Sequence, residues 1–318
     1  MTVSVIIPAY NVASIIGRAI ESAAAQSARP LEIIVVDDAS TDDTASVVSA
    51  MGNRIPGVRL VSCPSNRGPA GARNFGIAAA RGDWVALLDS DDAWKPERLE
   101  RLTAIGEAAH ADFVADNQVL YDISEGKEVR MAYAVPWETR PFSVRDLYES
   151  GSQDLASFYY GLLKPILRRS FLMETGIRYD ETMRTGEDFV LYAELLFQNA
   201  KAILVSEAYY IYTLRFSPST GAKSRHNRSE YDFSQMAQAD DRLLEKYGTL
   251  VDPPLAKTIK KRRRNLMLIH QANIAREYRR AGEYGRYVWF VATRPALVRR
   301  LIERTVKRAR TGGRRDRV

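Results

Sequence analysis

The chain has one cysteine, three histidines and no apolar run approaching the length of a membrane span. A lone Cys63 excludes an internal disulfide and any zinc site built from several thiolates, and it fits a reducing compartment. As a small apolar thiol it reads as buried packing. The apolar runs near Trp84 and Trp289 fall far short of the roughly 18 consecutive residues of a spanning helix, which excludes a spanning protein. Residues 1–10 (MTVSVIIPAY) lack a basic segment and a long apolar stretch, so they read as a first strand and not as a signal peptide. His110 and His270 have no partner pattern and receive no role.

What is present is an ordinary globular composition, 46% hydrophobic over 318 residues. Disorder is thereby excluded as the dominant state, and the length suits one large α/β domain or two smaller ones. The net charge of +7 hides an asymmetry. Residues 255–318 hold 20 Lys+Arg and 4 Asp+Glu, net +16, whereas residues 1–254 hold 26 and 35, net −9. An acidic body and a basic tail need separate explanations.

In the body, the β-branched run Val3 to Ile7, ended by Pro8, suits a buried parallel strand. Ile15, Ile16, Ala19, Ile20 and Ala23 recur at helical spacing up to Gln26, and Leu31 to Val36 is a second buried strand. This is a βαβ unit with a right-handed crossover. The second strand ends at Asp37 and Asp38, at the edge where open α/β sheets bind ligands. A carboxylate there can accept hydrogen bonds from a nucleobase imide or ribose hydroxyls. Ser40 to Asp43 read as capping of the next helix.

Val58 to Val61 suggest a third strand, and Asn66 to Arg81 (NRGPAGARNFGIAAAR) a Gly-rich loop entering an Ala-rich helix. Its amino terminus favours anions, and Arg67 and Arg73 could add charge for a diphosphate; an ordinary surface loop accounts for the pattern equally well. The strand Asp83 to Leu88 runs into Asp89, Ser90, Asp91 and Asp92. Three carboxylates in four residues repel one another, and a folded chain tolerates them best around a cation. Asp-x-Asp on an extended backbone points both side chains the same way, and the oxygen-only set favours magnesium or manganese. A helix cap before Pro96 accounts for Asp92 but not readily for Asp89 and Asp91.

Four segments, SVIIPAYN (4–11), IIVVDDASTDD (33–43), NRGPAGARNFG (66–76) and WVALLDSDDAW (84–94), stand in the order and spacing of the family 2 glycosyltransferases. Over roughly residues 1–220 the chain resembles that inverting, nucleotide-sugar-dependent family. The resemblance implies a GT-A fold, an α/β domain with a mostly parallel central sheet flanked by helices. Its catalytic domain would be residues 1–228, with 1–109 the donor half and 110–228 the acceptor half, followed by a helical basic extension over 229–318. It also implies that Pro8, Tyr10 and Asp38 surround the uracil and ribose, that Arg73 meets the diphosphate or base side, and that Asp89, Ser90 and Asp91 form the Asp-x-Asp motif. There Asp89 and Ser90 bind donor, and Asp89 and Asp91 bind Mn2+ or Mg2+.

An inverting transfer also needs a base for the acceptor hydroxyl. Glu187 and Asp188 open GEDFVLYAELLF (186–197) and resemble the family's Glu-Asp motif, with Asp188 as base and Glu187 as a supporting acceptor contact. The alternative is an acidic pair stabilising a first helical turn. A donor-covering loop is implied at Phe216 to Asn227, where Arg215 and Ser219 are donor contacts and His226 a contact or metal ligand, against a plain surface-loop reading. Trp137, Tyr159 and Tyr160 are candidates for stacking on a sugar.

From about Glu230 the chain is helical in character, broken at Pro253 and Pro254 and followed by KKRRR (260–264). In Pro295 to Arg310, Leu297, Val298, Leu301, Ile302 and Val306 fall on one side of a helical wheel, with Arg299, Arg300, Arg304 and Lys307 opposite. Tyr284, Tyr287, Trp289 and Phe290 precede them. An anionic membrane surface, nucleic-acid phosphates and the chain's own catalytic domain compete as partners. Packing suits much of 230–285 and membrane contact suits 295–310, while no nucleic-acid motif accompanies the charge. The expectation is a metal-dependent enzyme transferring a hexose from a UDP-sugar to a glycan hydroxyl, the glycan carried on lipid, in exopolysaccharide biosynthesis at the cytoplasmic face of the plasma membrane. A catalytically silent nucleotide-sugar-binding module on the membrane is one alternative. A sugar nucleotidyltransferase is another, although Tyr10 and Asn11 stand where its phosphate-activating basic signature belongs.

Overall fold

The computed structural model describes residues 1–133, 138–152, 159–214 and 232–310, without the side chains of 151–152 and 304–310. Trp137, Arg215, Ser219 and His226 lie outside the described residues. The amino-terminal half alternates strand and helix: β1 (Val3–Ala9), α1 (Ile16–Ala24), β2 (Glu32–Asp37), α2 (Thr44–Gly52), β3 (Val58–Ser62), α3 (Gly68–Ala79) and β4 (Trp84–Leu87). β1 pairs in parallel with β2 and β4, and β2 with β3. Neighbouring residues of β2 face opposite layers, Ile34 and Val36 joining α3 and Ile33 and Val35 joining α1. Burial on both faces produces the continuous apolar runs in the sequence. Pro8 does not end β1, as the sequence suggested: the strand continues to Ala9, and Pro8 stands beside Val36.

The second half adds β5 (Ala93–Trp94), α4 (Arg98–Ala108), β6 (Phe113–Asp122), β7 (Lys127–Met131), β8 (Arg140–Phe142), α5 (Val144–Ser152), β9 (Ile166–Arg168), α6 (Arg169–Thr175), α7 (Glu187–Phe197) and β10 (Ala202–Thr213). The sheet order is β3-β2-β1-β4-β9-β6-β10-β5, with β7 on β6 and β8 on β10. β9 is antiparallel to both of its neighbours. The short strand expected at Tyr209 to Tyr212 is the end of β10, which runs parallel to β6 and slips register around Ala208. Asp116 of β6 fills that irregularity, accepting from the backbone N–H of Tyr209 (3.0 Å) and Tyr210 (2.9 Å). Its other oxygen receives Arg98 at 2.8 Å, and Arg98 also donates to the carbonyl of Lys164.

Four helices follow: α8 (Phe233–Tyr247), α9 (Pro253–Arg280), α10 (Tyr284–Ala292) and α11 (Pro295–Arg310). Met236 and Leu243 of α8 and Ile259 and Leu266 of α9 share one core with Phe189 and Leu195 of α7, so the main core continues well past residue 228. Within the basic run 260–264, Arg262 is buried, paired to Asp240 at 2.5 Å, with its guanidinium 3.6 Å from the Phe189 ring centroid. A smaller core gathers Ala272, Ala275, Phe290 and Leu297, with Leu301 against it. The apolar side read on α11 is therefore divided: Leu297 and Leu301 pack on the chain's own helices, and Ile302 stays exposed. Among the described residues no helix is long and apolar enough to cross a membrane.

Candidate active site

The strand ends define the floor of the site. At the end of β2, Asp38 accepts from the backbone N–H of Arg67 and of Gly68, both at 2.8 Å. Gly68 has φ 74°, a conformation that a side chain would strain, so Asp38 and Gly68 together set the entry of α3. Next to it, Asn11 at φ 52° accepts from the N–H of Thr41 (2.8 Å) and Asp42 (3.3 Å), while Ser40 Oγ accepts from Asn11 N–H (3.0 Å). The acidic stretch expected to cap α2 thus also binds the β1 and β2 loops together; Asp42 accepts from both Ala13 and Thr44 N–H.

Above this floor is a cavity of about 360 Å3. Pro8, Tyr10, Asp38, Arg73, Asp89, Ser90, Asp91, Glu187 and Asp188 all line it, residues drawn from positions 8 to 188. Tyr159 lines it too, whereas Tyr160 packs on Tyr133 and Phe142. Arg73, only 4% exposed, reaches from α3 to Asp89 Oδ1 (2.7 Å) and Glu187 Oε1 (2.8 Å), and lies 3.7 Å from Asp188 Oδ1. In this state the guanidinium serves the chain's own carboxylates. Burial would discharge it, but Asp188 and Asp89 hold it charged, well above its ordinary value.

Lys164 was not among the residues singled out from the sequence. Its Nζ stands 2.8 Å from Asp89 Oδ2 and 2.6 Å from Asp188 Oδ2, one ammonium bridging the two carboxylates. Register explains the placement: β9 runs antiparallel to β4 with Ile166 opposite Ala86, so the residues before β9 lie beside those after β4. The available signal was a lone lysine among apolar residues, GLLKPIL (161–167), since a buried lysine demands a charged partner. Burial would lower the Lys164 ammonium; Asp188 and Asp89 outweigh this and raise it. Asp89 conversely stays far below the usual carboxylate range, because Lys164 and Arg73 overcome its desolvation.

Asp188 also accepts from Tyr179 Oη at 2.9 Å, another contact not apparent from sequence. Gly186, at φ 78°, precedes α7 and lets Glu187 and Asp188 open the helix, at the positive end of its dipole. The pair therefore does stabilise a first turn, and it also joins the cationic pair Arg73 and Lys164.

Ligand oxygens of Asp89, Asp91 and Asp92 lie within 4.8 Å of one another. Asp92 is not the helix cap that one reading allowed, because α4 begins only at Arg98. It is buried instead, accepting from Tyr210 Oη and from Thr213 N–H, each at 2.7 Å, and burial pushes its carboxyl up to about 7. Asp91 forms no ion pair among the described residues, and burial with two acidic neighbours raises it. Arg73 and Lys164 thus pair with Asp89, Glu187 and Asp188, while Asp91 and Asp92 are in no ion pair among the described residues. The oxygen-only donor set and an Asp91 without an ion-pair partner among the described residues fit a hard divalent ion at Asp89 and Asp91.

The profile of glycosyl transferase family 2 matches residues 4–171. The succinoglycan biosynthesis protein ExoO of Rhizobium meliloti is 38% identical over 247 residues, 77% of this chain and 69% of that protein. ExoU of the same organism, also a succinoglycan biosynthesis protein, is 30% identical over 304 residues, 94% and 85% of the two chains. Over a shorter 99 residues, 30% of this chain and 38% of the other, Escherichia coli WfaP is 44% identical; its name is UDP-Glc:alpha-D-GlcNAc-diphosphoundecaprenol beta-1,3-glucosyltransferase. Among solved structures, residues 1–349 of S. aureus TarS in complex with UDP-GlcNAc share the fold at a TM-score of 0.61, with 22% identity, over 87% of this chain and 73% of that one. The sheet and its flanking helices are accordingly a GT-A fold. With the four ordered motifs meeting at one cavity and the likeness extending along most of its length, the chain belongs to glycosyl transferase family 2.

Proposed function

We propose that this chain is an inverting, divalent-metal-dependent glycosyltransferase that moves a hexose from a UDP-sugar to a hydroxyl of a lipid-linked glycan in polysaccharide biosynthesis. The observation that carries the reading is the meeting of Asp89, Asp91 and Asp188 at one cavity, with Lys164 bridging Asp89 and Asp188. The relatives' names support the pathway class, the UDP-GlcNAc bound to TarS supports the donor class, and the undecaprenol in the WfaP name supports the lipid carrier.

In this reading Pro8, Tyr10 and Asp38 shape the nucleoside end and Ser90 the ribose-diphosphate turn. Asp89 and Asp91 hold Mn2+ or Mg2+, which when bound supplies positive charge to the departing diphosphate. Asp188 takes the acceptor hydroxyl proton as the new bond from that oxygen to the sugar carbon forms and the bond to the diphosphate breaks. Lys164 and Tyr179 position Asp188, with Glu187 as a supporting acceptor contact and Arg73 as a contact for the diphosphate or base side. Residues 1–109 serve the donor and 110–228 the acceptor, with the helices beyond 229 as an extension. Arg215 and His226 belong to the same reading as donor and metal contacts.

The test is UDP release across a panel of UDP-sugars with manganese, magnesium or chelator, comparing wild type with Asp188→Asn. Donor-specific, metal-dependent release that the variant lacks is expected. Release of pyrophosphate would instead identify a nucleotidyltransferase, and absence of both turnover and donor binding would overturn the reading.

A further inference from the structure

Helices α10 and α11 touch the body through α9, and the smaller core around Phe290 and Leu297 holds the three together. Turned away from that core, α10 presents Tyr284, Val288 and Trp289, which are 64%, 61% and 66% exposed. Gly285 and Ala292 complete the same side of the helix, so the outward face carries no charge. It continues into a largely apolar groove of about 420 Å3 lined by Ala292, Pro295, Val298 and Ile302 together with Arg299 and Glu303, which are ion-paired to each other at 2.9 Å, and Ile302 is itself 58% exposed. Large apolar side chains this exposed and this close together mark a surface that something covers.

The charge around the patch selects the occupant. Beside the patch, residues 276–303 hold seven arginines and three glutamates, net +4, and Arg279 and Arg280 are exposed at the corner where α9 turns into α10, with Arg286 next to them ion-paired to Glu283 at 2.9 Å. A second copy of this chain docked face to face would set this positive charge against its own equal. An anionic bilayer offers both complements together: headgroup charge for the arginines and an interfacial zone for tryptophan and tyrosine. We propose that the outward face of α10 and the adjoining groove of α11 dock on an anionic membrane surface, with Trp289, Val288 and Tyr284 entering the headgroup region. This places the membrane contact mainly on α10 and not on the whole apolar side of α11, because Leu297 and Leu301 are already used internally.

The experiment is co-sedimentation of the full chain with vesicles of phosphatidylglycerol and phosphatidylcholine in equal parts, and with phosphatidylcholine alone. Binding to the anionic vesicles, falling as salt rises, is expected, with at least tenfold weaker binding to the neutral ones. Val288→Asp with Trp289→Asp should reduce anionic binding by roughly a hundredfold, since each charge enters a zone that favours apolar groups. Brominated lipid should quench tryptophan fluorescence in wild type and much less in Trp289→Phe, a mild substitution that keeps the proposal testable if the double variant does not fold. Equal binding to both vesicles, or unchanged binding and quenching in the variants, overturns the proposal. So does a concentration-dependent dimer in sedimentation velocity that the double variant abolishes, which would assign the face to a second copy. No donor or acceptor is present in these measurements, so their failure leaves the reading of the catalytic site intact.

Discussion

Lys164 offers the sharpest test of how the cavity works, because it occupies the carboxylates that a metal and an acceptor proton would need. Replacing it with Met keeps most of the side-chain volume and removes the charge. Asp89 then retains Arg73 at 2.7 Å, and Asp188 retains Tyr179 at 2.9 Å. Breaking a buried ion pair from one side costs about 3–5 kcal/mol, and these surviving partners place the expected loss near the lower end. A divalent ion at a hundred times its dissociation constant should restore about 2.7 kcal/mol of that loss. The variant should also bind the ion more tightly. A dication and an ammonium about 6 Å apart repel by about 1.4 kcal/mol even at the dielectric constant of water, so removing the ammonium strengthens affinity roughly tenfold. Turnover should move the other way, falling about a hundredfold as Asp188 loses the contact that orients it. Calorimetric titration with Mn2+, denaturant unfolding with and without the ion, and UDP release give the three quantities. Tighter metal with slower turnover is the expected split. If metal affinity and turnover fell together, the variant would merely be damaged and the assignment of Lys164 as a positioning residue would fail.

Asp188→Asn should lower turnover by a factor of about 10²–10⁴ while donor binding by calorimetry stays within twofold; equal turnover would remove Asp188 as the base. Arg262→Met should destabilise the chain by about 3–5 kcal/mol by stranding Asp240, and adding Asp240→Leu should recover most of it; no recovery in denaturant unfolding would refute the pairwise account. Burial pushes the Glu32 carboxyl up, but hydrogen bonds from Ser4, Arg59 and Arg81 outweigh it and bring it from 4.5 down to about 2. Because the folded value is the lower one, the stabilisation is complete above pH 4.5 and is lost as pH falls toward 2, an effect on the order of 3 kcal/mol. Glu32→Gln should flatten that acid limb of the unfolding profile, and an unchanged slope would refute it.

The strand-end side of the cavity was legible because its signals are local. A strand followed directly by a carboxylate, as at Val36 to Asp38 and Leu87 to Asp89, needs only a continuous apolar run buried on both faces and the rule that ligands bind at strand ends. Asp188 was legible for a similar reason, since an acidic pair before an apolar helix marks an amino terminus whether or not it catalyses. Lys164 escaped because its role depends on β9, a three-residue antiparallel strand inserted between β4 and β6. Such a strand leaves almost no periodic trace, yet its register delivers the ammonium to both carboxylates. Asp116 escaped too, since the polar run Asp116 to Gln118 inside β6 gives no hint that a bulge in β10, far later in the chain, leaves two N–H groups for Asp116 to satisfy.

Arg262 shows a different limit, because its signal was present and was obscured by composition. Leu255, Ile259 and Leu266 are buried on α9, and Arg262 falls on the same face at helical spacing. Reading KKRRR as a charge run conceals that stripe, whereas reading it by period isolates one arginine that must be paired if the helix packs. The pairing matters beyond stability. Arg262 lies over Phe189, and Phe189 follows Asp188 in the chain, so the basic tail contributes one residue to the layer supporting the helix that carries the candidate base. A tail that only needed positive charge would leave all five residues in solvent. This one sends Arg262 into the main core beside α7 and carries α10 and α11 outward on the same helix, so α9 joins the layer behind the candidate site at one end to the exposed apolar face at the other.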